Sequence, residues 1–260
     1  MINLDWKIQY RRFEMATINN TLKEENNNLA DRITSVVAKN WLLVFSLSIG
    51  TYIGLPFLAP VFKSLGWNGM ADSIYFLYSF VCHQYPQRSF FLFGQSSSYS
   101  LDTIQLWQDT SNPLTLGKFI GNSQLGWKVA WSDRMVAMYS SIPALSWLWY
   151  PLRDKIEPLP LWGFFSFLLP MGVDGITHIL SDLAGLGNGF GSSNIWLKVL
   201  TGSAYSAEFY SGTQLGSFNS SMRILTGVLF GIGVVWFFFP QLDLLFRKTE
   251  KYLVIKQDQI

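Results

Sequence analysis

Residues 41–62, WLLVFSLSIGTYIGLPFLAPVF, contain no charged side chain and are bounded by Lys39 and Lys63. A helix needs roughly 20 predominantly apolar residues to cross a bilayer, so this stretch predicts a transmembrane helix. The composition of the chain agrees with that prediction. Of its 260 residues, 49% are hydrophobic and only 14% are charged, whereas soluble domains carry about 25% charged residues.

Three more apolar stretches predict crossings, at about residues 129–150, 159–180 and 222–246. Residues 74–81 are too few to cross and predict an interfacial or re-entrant helix. We therefore expect an all-α integral membrane helical bundle with about four transmembrane helices and one interfacial helix. The transmembrane domain covers residues 41–246, between a polar N-terminal arm (1–40) and a basic tail (247–260). Gly50 with Gly54, and Gly227 with Gly231, have the small-xxx-small spacing that lets helices approach closely.

The distribution of basic residues predicts how the bundle is oriented. Twelve of the nineteen Lys and Arg residues lie in three segments, 1–40, 151–158 and 247–260. Basic segments next to span ends favour the cytoplasmic side, and four spans place all three segments on that side. We expect a multi-pass plasma membrane protein with both termini cytoplasmic and with extracytoplasmic loops at residues 63–128 and 181–221. The net charge of +2 gives no indication of a nucleic-acid partner.

Polar side chains cluster at the predicted outer ends of the spans. The candidate pocket residues are Cys82, His83, Gln84, Arg88, Asp133, Arg134, Tyr139, Asp174, His178 and Arg223. A charge in hydrocarbon costs about 2.5–3.5 kcal/mol, so Asp174 needs a partner, and we predict an ion pair with Arg134. Asp174 and His178 are four residues apart and share a helical face. The sequence thus predicts one polar pocket at the outer face.

Several other interpretations of these residues remain open. Asp133 and Arg223 alone are compatible with water-facing helix ends, and an arginine–aspartate pair is compatible with a purely structural clamp. Cys82 with a histidine base is compatible with nucleophilic chemistry, although nothing in the sequence activates the thiol. Cysteine, histidine and aspartate are zinc ligands, but paired spacings such as CxxC are absent from the sequence, so we expect no metal and no other cofactor.

Residues 82–90 read CHQYPQRSF, and this segment resembles the motif C-H-Q-x-P-x-R-S of an uncharacterised prokaryotic polytopic membrane-protein family, domain of unknown function 2085. Residues 132–139 (SDRMVAMY), 174–178 (DGITH) and 223–227 (RILTG) resemble three further motifs of that family in the same order. Ser132 and Met135 stand where the family has thiols or carboxylates, and His178 replaces a glutamine. The resemblance spans roughly residues 70–235. It implies a membrane bundle with grouped polar residues and implies no activity.

The arginines suggest the chemistry of a ligand. A guanidinium group matches phosphate with two parallel hydrogen bonds, so the expected ligand of the pocket is an anionic lipid or isoprenoid headgroup, and the expected partners are membrane lipids. Two alternatives stay open: a non-enzymatic assembly subunit that contacts other membrane subunits, and a membrane enzyme acting on a lipid-linked substrate with His83 or His178 in acid–base work. A small transporter is less favoured because the spans are few and show no inverted repeat.

Overall fold

The computed structural model describes residues 29–185 and 187–257. In chain order its helices are α1 (Trp41–Ser64), α2 (Asn68–Ser79), α3 (Leu101–Gln108), α4 (Pro113–Gly117), α5 (Asp133–Trp149), α6 (Leu161–Asp182), α7 (Ile195–Leu200), α8 (Ala207–Tyr210) and α9 (Phe218–Gln257). Its strands are β1 (Ser89–Leu92), β2 (Gly121–Asn122) and β3 (Gly126–Ser132). Of the predicted N-terminal arm (1–40), residues 29–39 are helical, and residues 1–28 lie outside the described residues. The chain divides into two compact units, one made of Met1–Phe45 with Gln241–Ile260 and the other of Ser46–Pro240.

Three helices among the described residues are long and apolar enough to cross a membrane. They are α1, α6 and the segment Phe218–Lys256 of α9. With one small sheet and otherwise helical elements, the predicted all-α membrane bundle is confirmed as a fold class. Helix α2 has 12 residues, about 18 Å at 1.5 Å per residue, so it is too short to cross the roughly 30 Å of hydrocarbon.

The predicted second span was wrong at its beginning. Residues 129–132 do not belong to a helix but to strand β3, and α5 begins at Asp133. These residues are apolar because they are buried within the protein, not because they face lipid: Val129, Ala130 and Trp131 are completely buried. Helix α5 has 17 residues, which is the lower end of the range of roughly 17–25 for a spanning helix.

Contacts along α5 show that it runs parallel to the first half of α9. A Cβ atom added at Gly227 would lie 3.1 Å from the backbone oxygen of Arg134, and one at Gly231 would lie 2.0 Å from Ser141 Oγ. Further along, the rings of Trp149 and Phe239 are 6.0 Å apart. Helix α5 therefore covers the same depth as α9 does between Gly227 and Phe239.

Helices α6 and α1 run in the opposite direction to α5. The rings of Phe164, at the start of α6, and Phe237 stack at 4.8 Å, whereas Asp174 near the end of α6 approaches Thr226. Trp147 at the end of α5 donates from Nε1 to Ser46 Oγ near the start of α1, at 2.9 Å. The four helices thus alternate in direction along the chain, as an up-and-down bundle does.

The last helix is longer than the sequence predicted. The fourth span was expected at about residues 222–246, but α9 extends from Phe218 to Gln257, so the described part of the basic tail is helical. Residues 247–257 contain no Gly or Pro that would end the helix. In the unit formed by Met1–Phe45 and Gln241–Ile260, Trp41 Nε1 donates to Asp243 Oδ1 at 3.2 Å, and Lys256 Nζ lies 2.6 Å from Asp31 Oδ2.

Residues 63–128, which the sequence assigned to a loop, contain α2, α3, α4 and most of a three-stranded antiparallel sheet of order β1-β3-β2. Ser89 pairs with Ser132 and Leu92 with Trp127. Trp131 of β3 is covered by aromatic rings from α1, α2 and α5. These are Tyr52 at 5.1 Å, Tyr78 at 5.4 Å and Tyr139 at 4.9 Å between ring centroids. This aromatic cluster attaches the sheet to the helices.

Candidate functional site

The sheet register brings two of the sequence motifs together. Arg88 immediately precedes β1 and Asp133 immediately follows β3. Since Ser89 and Ser132 are paired across these antiparallel strands, Arg88 and Asp133 leave the sheet at the same end. The sheet therefore places the CHQYPQRSF segment beside the start of α5.

Asp133 and Arg223 form a two-pronged ion pair between the starts of α5 and α9. Arg223 Nε lies 2.7 Å from Asp133 Oδ1, and Nη2 lies 2.6 Å from Oδ2. Ser220 Oγ donates to the same carboxylate at 2.7 Å, and the Thr213 carbonyl accepts from Arg223 Nη2 at 2.5 Å. Asp133 and Arg223 are 4% and 2% exposed. They are therefore not water-facing helix ends, which was one of the open interpretations.

The predicted pair of Arg134 and Asp174 is confirmed, with 2.6 Å between Arg134 Nη2 and Asp174 Oδ2. Thr226 Oγ1 donates to the same oxygen at 3.3 Å. Gly175 makes room for the guanidinium, because a Cβ there would lie 3.1 Å from Arg134 Nη1. His178 Nε2 is 3.6 Å from Asp174 Oδ1, which is longer than a hydrogen bond.

A third arginine is paired with a carboxylate that lies outside the predicted set. Arg88 Nη2 donates to both oxygens of Asp182, at 2.9 and 2.8 Å. Asp182 ends α6 and follows His178 by one helical turn, so the i, i+4 spacing from Asp174 through His178 was the available signal. The guanidinium of Arg88 also lies 5.5 Å from the ring centre of Tyr85.

Most of the predicted residues line one cavity of about 240 Å³. Those that line it are Cys82, His83, Gln84, Arg88, Arg134, His178 and Arg223, together with Tyr85, Ser132, Asp182 and several apolar side chains. Three predicted residues do not line it. Asp133 and Asp174 bind the guanidinium groups of Arg223 and Arg134, and Tyr139 belongs to the aromatic cluster at Trp131.

Each of the three arginines retains one buried N–H group without a hydrogen-bond partner among the described residues. These groups are Arg88 Nε, Arg134 Nε and Arg223 Nη1. A buried donor left without an acceptor costs about 1–3 kcal/mol, and more for a charged group. Native structures therefore rarely leave one unsatisfied. Three such groups on arginines that line one cavity indicate a place for hydrogen-bond acceptors.

The sequence interpretation missed Lys128, a buried cation beneath the cavity wall. Lys128 is 1% exposed, and its Nζ donates to the carbonyls of Gln84, at 2.6 Å, and Gly117, at 3.0 Å. Loss of water around the ammonium group lowers the pKa of Lys128 to about 7. Its signal in the sequence is a lysine within an otherwise apolar strand. Lys128 supports the turn at Gln84, whose φ of 51° is in the left-handed region.

The neighbouring side chains of Cys82 and His83 differ in their exposure to solvent. His83 is exposed and its ring stacks on Tyr85 at 5.8 Å. Cys82 is buried, and its sulfur accepts a hydrogen bond from Gln84 N at 3.4 Å. Within residues 29–185 and 187–257, no three His, Cys, Asp or Glu side chains are grouped closely enough to hold a metal ion.

Comparison with known proteins identifies proteins that are similar to this chain. The profile of a family described as "Predicted membrane protein (DUF2085)" matches residues 123–237. The "Uncharacterized protein MJ1492" of Methanocaldococcus jannaschii is 29% identical over 146 residues, which cover 53% of this chain and 68% of that protein. No solved structure matches the chain. The matched segment contains Asp133, Arg134, Asp174, His178 and Arg223, and the family resemblance is confirmed: residues 123–237 match the DUF2085 family of predicted membrane proteins.

Proposed function

We propose that the cavity lined by Arg88, Arg134 and Arg223 binds the anionic headgroup of a membrane lipid or isoprenoid. The observation that carries this proposal is that each arginine has a buried N–H group with no partner among the described residues, and that all three side chains line one cavity. Phosphate oxygens accept hydrogen bonds from guanidinium groups with good geometry. A phosphate group would therefore satisfy donors that the protein itself leaves unsatisfied.

The charge balance of the cavity defines how the ligand is held. The three arginines are paired with Asp182, Asp174 and Asp133, so the six side chains together carry no net charge. The ligand is accordingly held by directed hydrogen bonds from the free side of each guanidinium. The aspartates hold the guanidinium groups in place, which lowers the entropy cost of binding.

The surroundings of the cavity favour an amphiphile over a free anion. Val81 and Ile179 line the cavity and are also exposed at the surface. Ile176 of α6 and Leu183, the residue that follows α6, are also exposed, about one turn before and after Ile179. An apolar surface beside a polar cavity accommodates an acyl or isoprenoid chain while the headgroup lies inside.

The proposed function includes an orientation in the plasma membrane. We place the cavity at the outer leaflet and both termini in the cytoplasm, with α5 as the fourth crossing helix. Two observations support this arrangement. Helix α5 runs beside α9 over the same depth, and the 151–158 loop, which follows α5, carries Arg153 and Lys155, as cytoplasmic loops do.

The test is a comparison of lipid affinities by native mass spectrometry of the purified protein. Dioleoylphosphatidylmethanol, which has a singly charged phosphate, is compared with dioleoylglycerol, which has the same chains and no phosphate. We expect the anionic lipid to bind more tightly. Arg88→Ala should reduce the affinity for this lipid about tenfold, since a hydrogen bond to a charged group contributes about 1.5–3 kcal/mol.

The matched control is Lys63→Ala. Lys63 forms a comparable ion pair with Asp72, 2.7 Å long, and does not line the cavity. This variant should bind both lipids as the wild type does. Equal affinity of the wild type for the two lipids, or an unchanged affinity in folded Arg88→Ala protein, would contradict the proposal.

A second candidate, an assembly subunit of a membrane complex, is favoured by one observation. Every arginine of the site already has an aspartate partner, as expected of a clamp that holds helices together. In that case Arg134→Ala would reduce the apparent unfolding temperature and the recovery of the complex in native membranes, without changing lipid preference. An enzyme acting on a lipid-linked substrate would use the same cavity, with His178 lining it beside Asp174.

A further inference from the structure

Two cavities meet at the ion pair of Arg88 and Asp182. The first is the 240 Å³ cavity described above, which we call the arginine cavity. The second, which we call the cap chamber, has a volume of about 230 Å³. It is lined by residues just before β1, at the start of α3, at the end of α6 and between α6 and α9. Both are lined by Arg88 and Asp182. A group bound by Arg88 therefore has space on either side of that pair.

The lining of the cap chamber differs in chemistry from that of the arginine cavity. Its polar side chains are Gln87, Ser100, Asp102, Ser211, Thr213 and Gln214, besides the shared pair and Ser192. Arg88 is the only cation among the lining residues, and Asp182 already neutralises it. Hydroxyl, amide and carboxylate groups without a spare cation suit a neutral group with several hydroxyls, which both donates and accepts hydrogen bonds. A second phosphate is not favoured there.

Gln87 gives independent evidence for a ligand in this chamber. Gln87 is 2% exposed, yet its Oε1 has no hydrogen-bond partner among the described residues. An acceptor that is buried without a donor costs about 1–3 kcal/mol. It lies one residue before Arg88, whose Nε is also unpartnered. An unsatisfied acceptor and an unsatisfied donor therefore come from adjacent residues at the boundary of the two cavities.

From this arrangement, and on the basis of the proposed function, we infer that the ligand is an anionic phospholipid whose phosphate carries a neutral polyol. The phosphate occupies the arginine cavity and the polyol lies in the cap chamber, where Gln87 Oε1 accepts a hydroxyl hydrogen. The acyl chains remain at the exposed apolar surface around Val81 and Ile179. Glycerol, inositol and sugar headgroups belong to this class.

The experiment compares three dioleoyl lipids that each carry one negative charge. Phosphatidylmethanol has no polyol, phosphatidylglycerol has two hydroxyls, and phosphatidylinositol has five. We expect affinity for the full-length protein, measured by native mass spectrometry, to rise in that order, with phosphatidylinositol bound about fivefold or more tightly than phosphatidylmethanol, the equivalent of one to two ordinary hydrogen bonds.

Two variants assign the preference to the two cavities. Gln87→Leu replaces the amide with an apolar side chain that is one atom shorter and removes an unsatisfied polar atom, so folding is not expected to suffer. It should reduce the preference for phosphatidylinositol while leaving phosphatidylmethanol binding unchanged. Arg88→Ala should reduce the affinity of the protein for all three lipids. Gln95→Leu, at an exposed glutamine outside the chamber, is the matched control and should behave as the wild type.

The outcomes separate this inference from the proposed function. If phosphatidylmethanol binds as tightly as phosphatidylinositol, and both bind more tightly than dioleoylglycerol, the polyol inference is overturned and the anionic site stands. If none of the anionic lipids binds more tightly than dioleoylglycerol, the proposed function fails and this inference fails with it. A polyol preference that Gln87→Leu leaves intact would overturn the assignment to the cap chamber.

Discussion

At the scale of single residues, the three arginine–aspartate pairs were not equally predictable. Asp174 lies within an apolar stretch, and a charge there needs a partner, which made the pair with Arg134 predictable. The partner of Asp133 was not predictable, because Arg223 is 90 residues away in the chain and the start of α5 was expected at residue 129. Buried ion pairs cost desolvation energy, so these pairs are better evidence of specific geometry than of stability.

Lys128 leads to a prediction about pH at the same scale. Burial lowers the pKa of its amine from an ordinary 10.5 to about 7. Between these values the unfolded chain binds more protons than the folded protein, so the free energy of unfolding should rise with pH, and this contribution is lost below pH about 7. Apparent unfolding temperature, followed by tryptophan fluorescence, should increase between pH about 7 and 9.5 in the wild type.

Lys128→Met is the comparison for this prediction, since it removes the titrating amine and keeps an apolar chain of similar length. Its unfolding temperature should change little over the same range. The range stops below pH 10 because burial raises the pKa values of Tyr75 and Tyr78, and their contributions to stability are lost as these groups ionise above that pH. Parallel pH profiles for wild type and Lys128→Met would contradict the assignment of this pH dependence to the amine of Lys128.

At the scale of elements, the two small-xxx-small pairs behave differently. Apart from their own helix backbone, no atom of the described residues lies within 4 Å of a Cβ added at Gly50 or Gly54, whereas Gly227 and Gly231 are both close to α5. The same spacing in the sequence therefore marks a helix contact in one pair of glycines and not in the other. The spacing allows a close approach, but only the arrangement of the other helices determines whether a neighbour is present.

Gly231→Ala should destabilise the bundle. The added Cβ would lie 2.0 Å from Ser141 Oγ, which can rotate away, and 3.0 Å from Ser141 Cβ, so α5 and α9 must move apart by a few tenths of an ångström, and overpacking of this kind costs about 1–3 kcal/mol. The unfolding temperature should fall, and Ser141→Gly should restore part of the loss by removing both atoms. Gly50→Ala is the matched helix substitution without a neighbour and should be neutral or slightly stabilising. Equal effects of the two alanine variants would contradict this account of the packing.

The short strand β3 explains why one helix boundary was wrong. Its residues are as apolar as those of a membrane span, and a short buried strand and a buried helix segment cannot be distinguished by hydrophobicity alone. The strand pairing of Ser132 with Ser89 is the contact that decides between them. The same pairing places Arg88 in the site, so the misassigned segment is also the one that assembles it.

At the scale of the whole molecule, orientation is the property to test. Cys82 is buried and is a poor reporter, so we suggest a Cys82→Ser background with single cysteines at Ser97 or Lys155, which are both exposed. A membrane-impermeant maleimide added to intact cells should label Ser97→Cys and spare Lys155→Cys until the cells are lysed. The opposite pattern would reverse the orientation, and labelling of both would show that the two positions lie outside, against four crossings.

The sequence by itself determined the membrane-bundle class, the positions of three long helices and the grouping of most of the predicted polar residues. These properties depend on local composition, because long apolar runs avoid water and isolated charges avoid hydrocarbon whatever the rest of the chain does. Only the tertiary structure decided which arginines bind Asp133 and Asp182, that Lys128 lies beneath the site, and that a second chamber adjoins it. Those features depend on strand register and helix contacts between residues far apart in the chain, and residue spacing does not encode them.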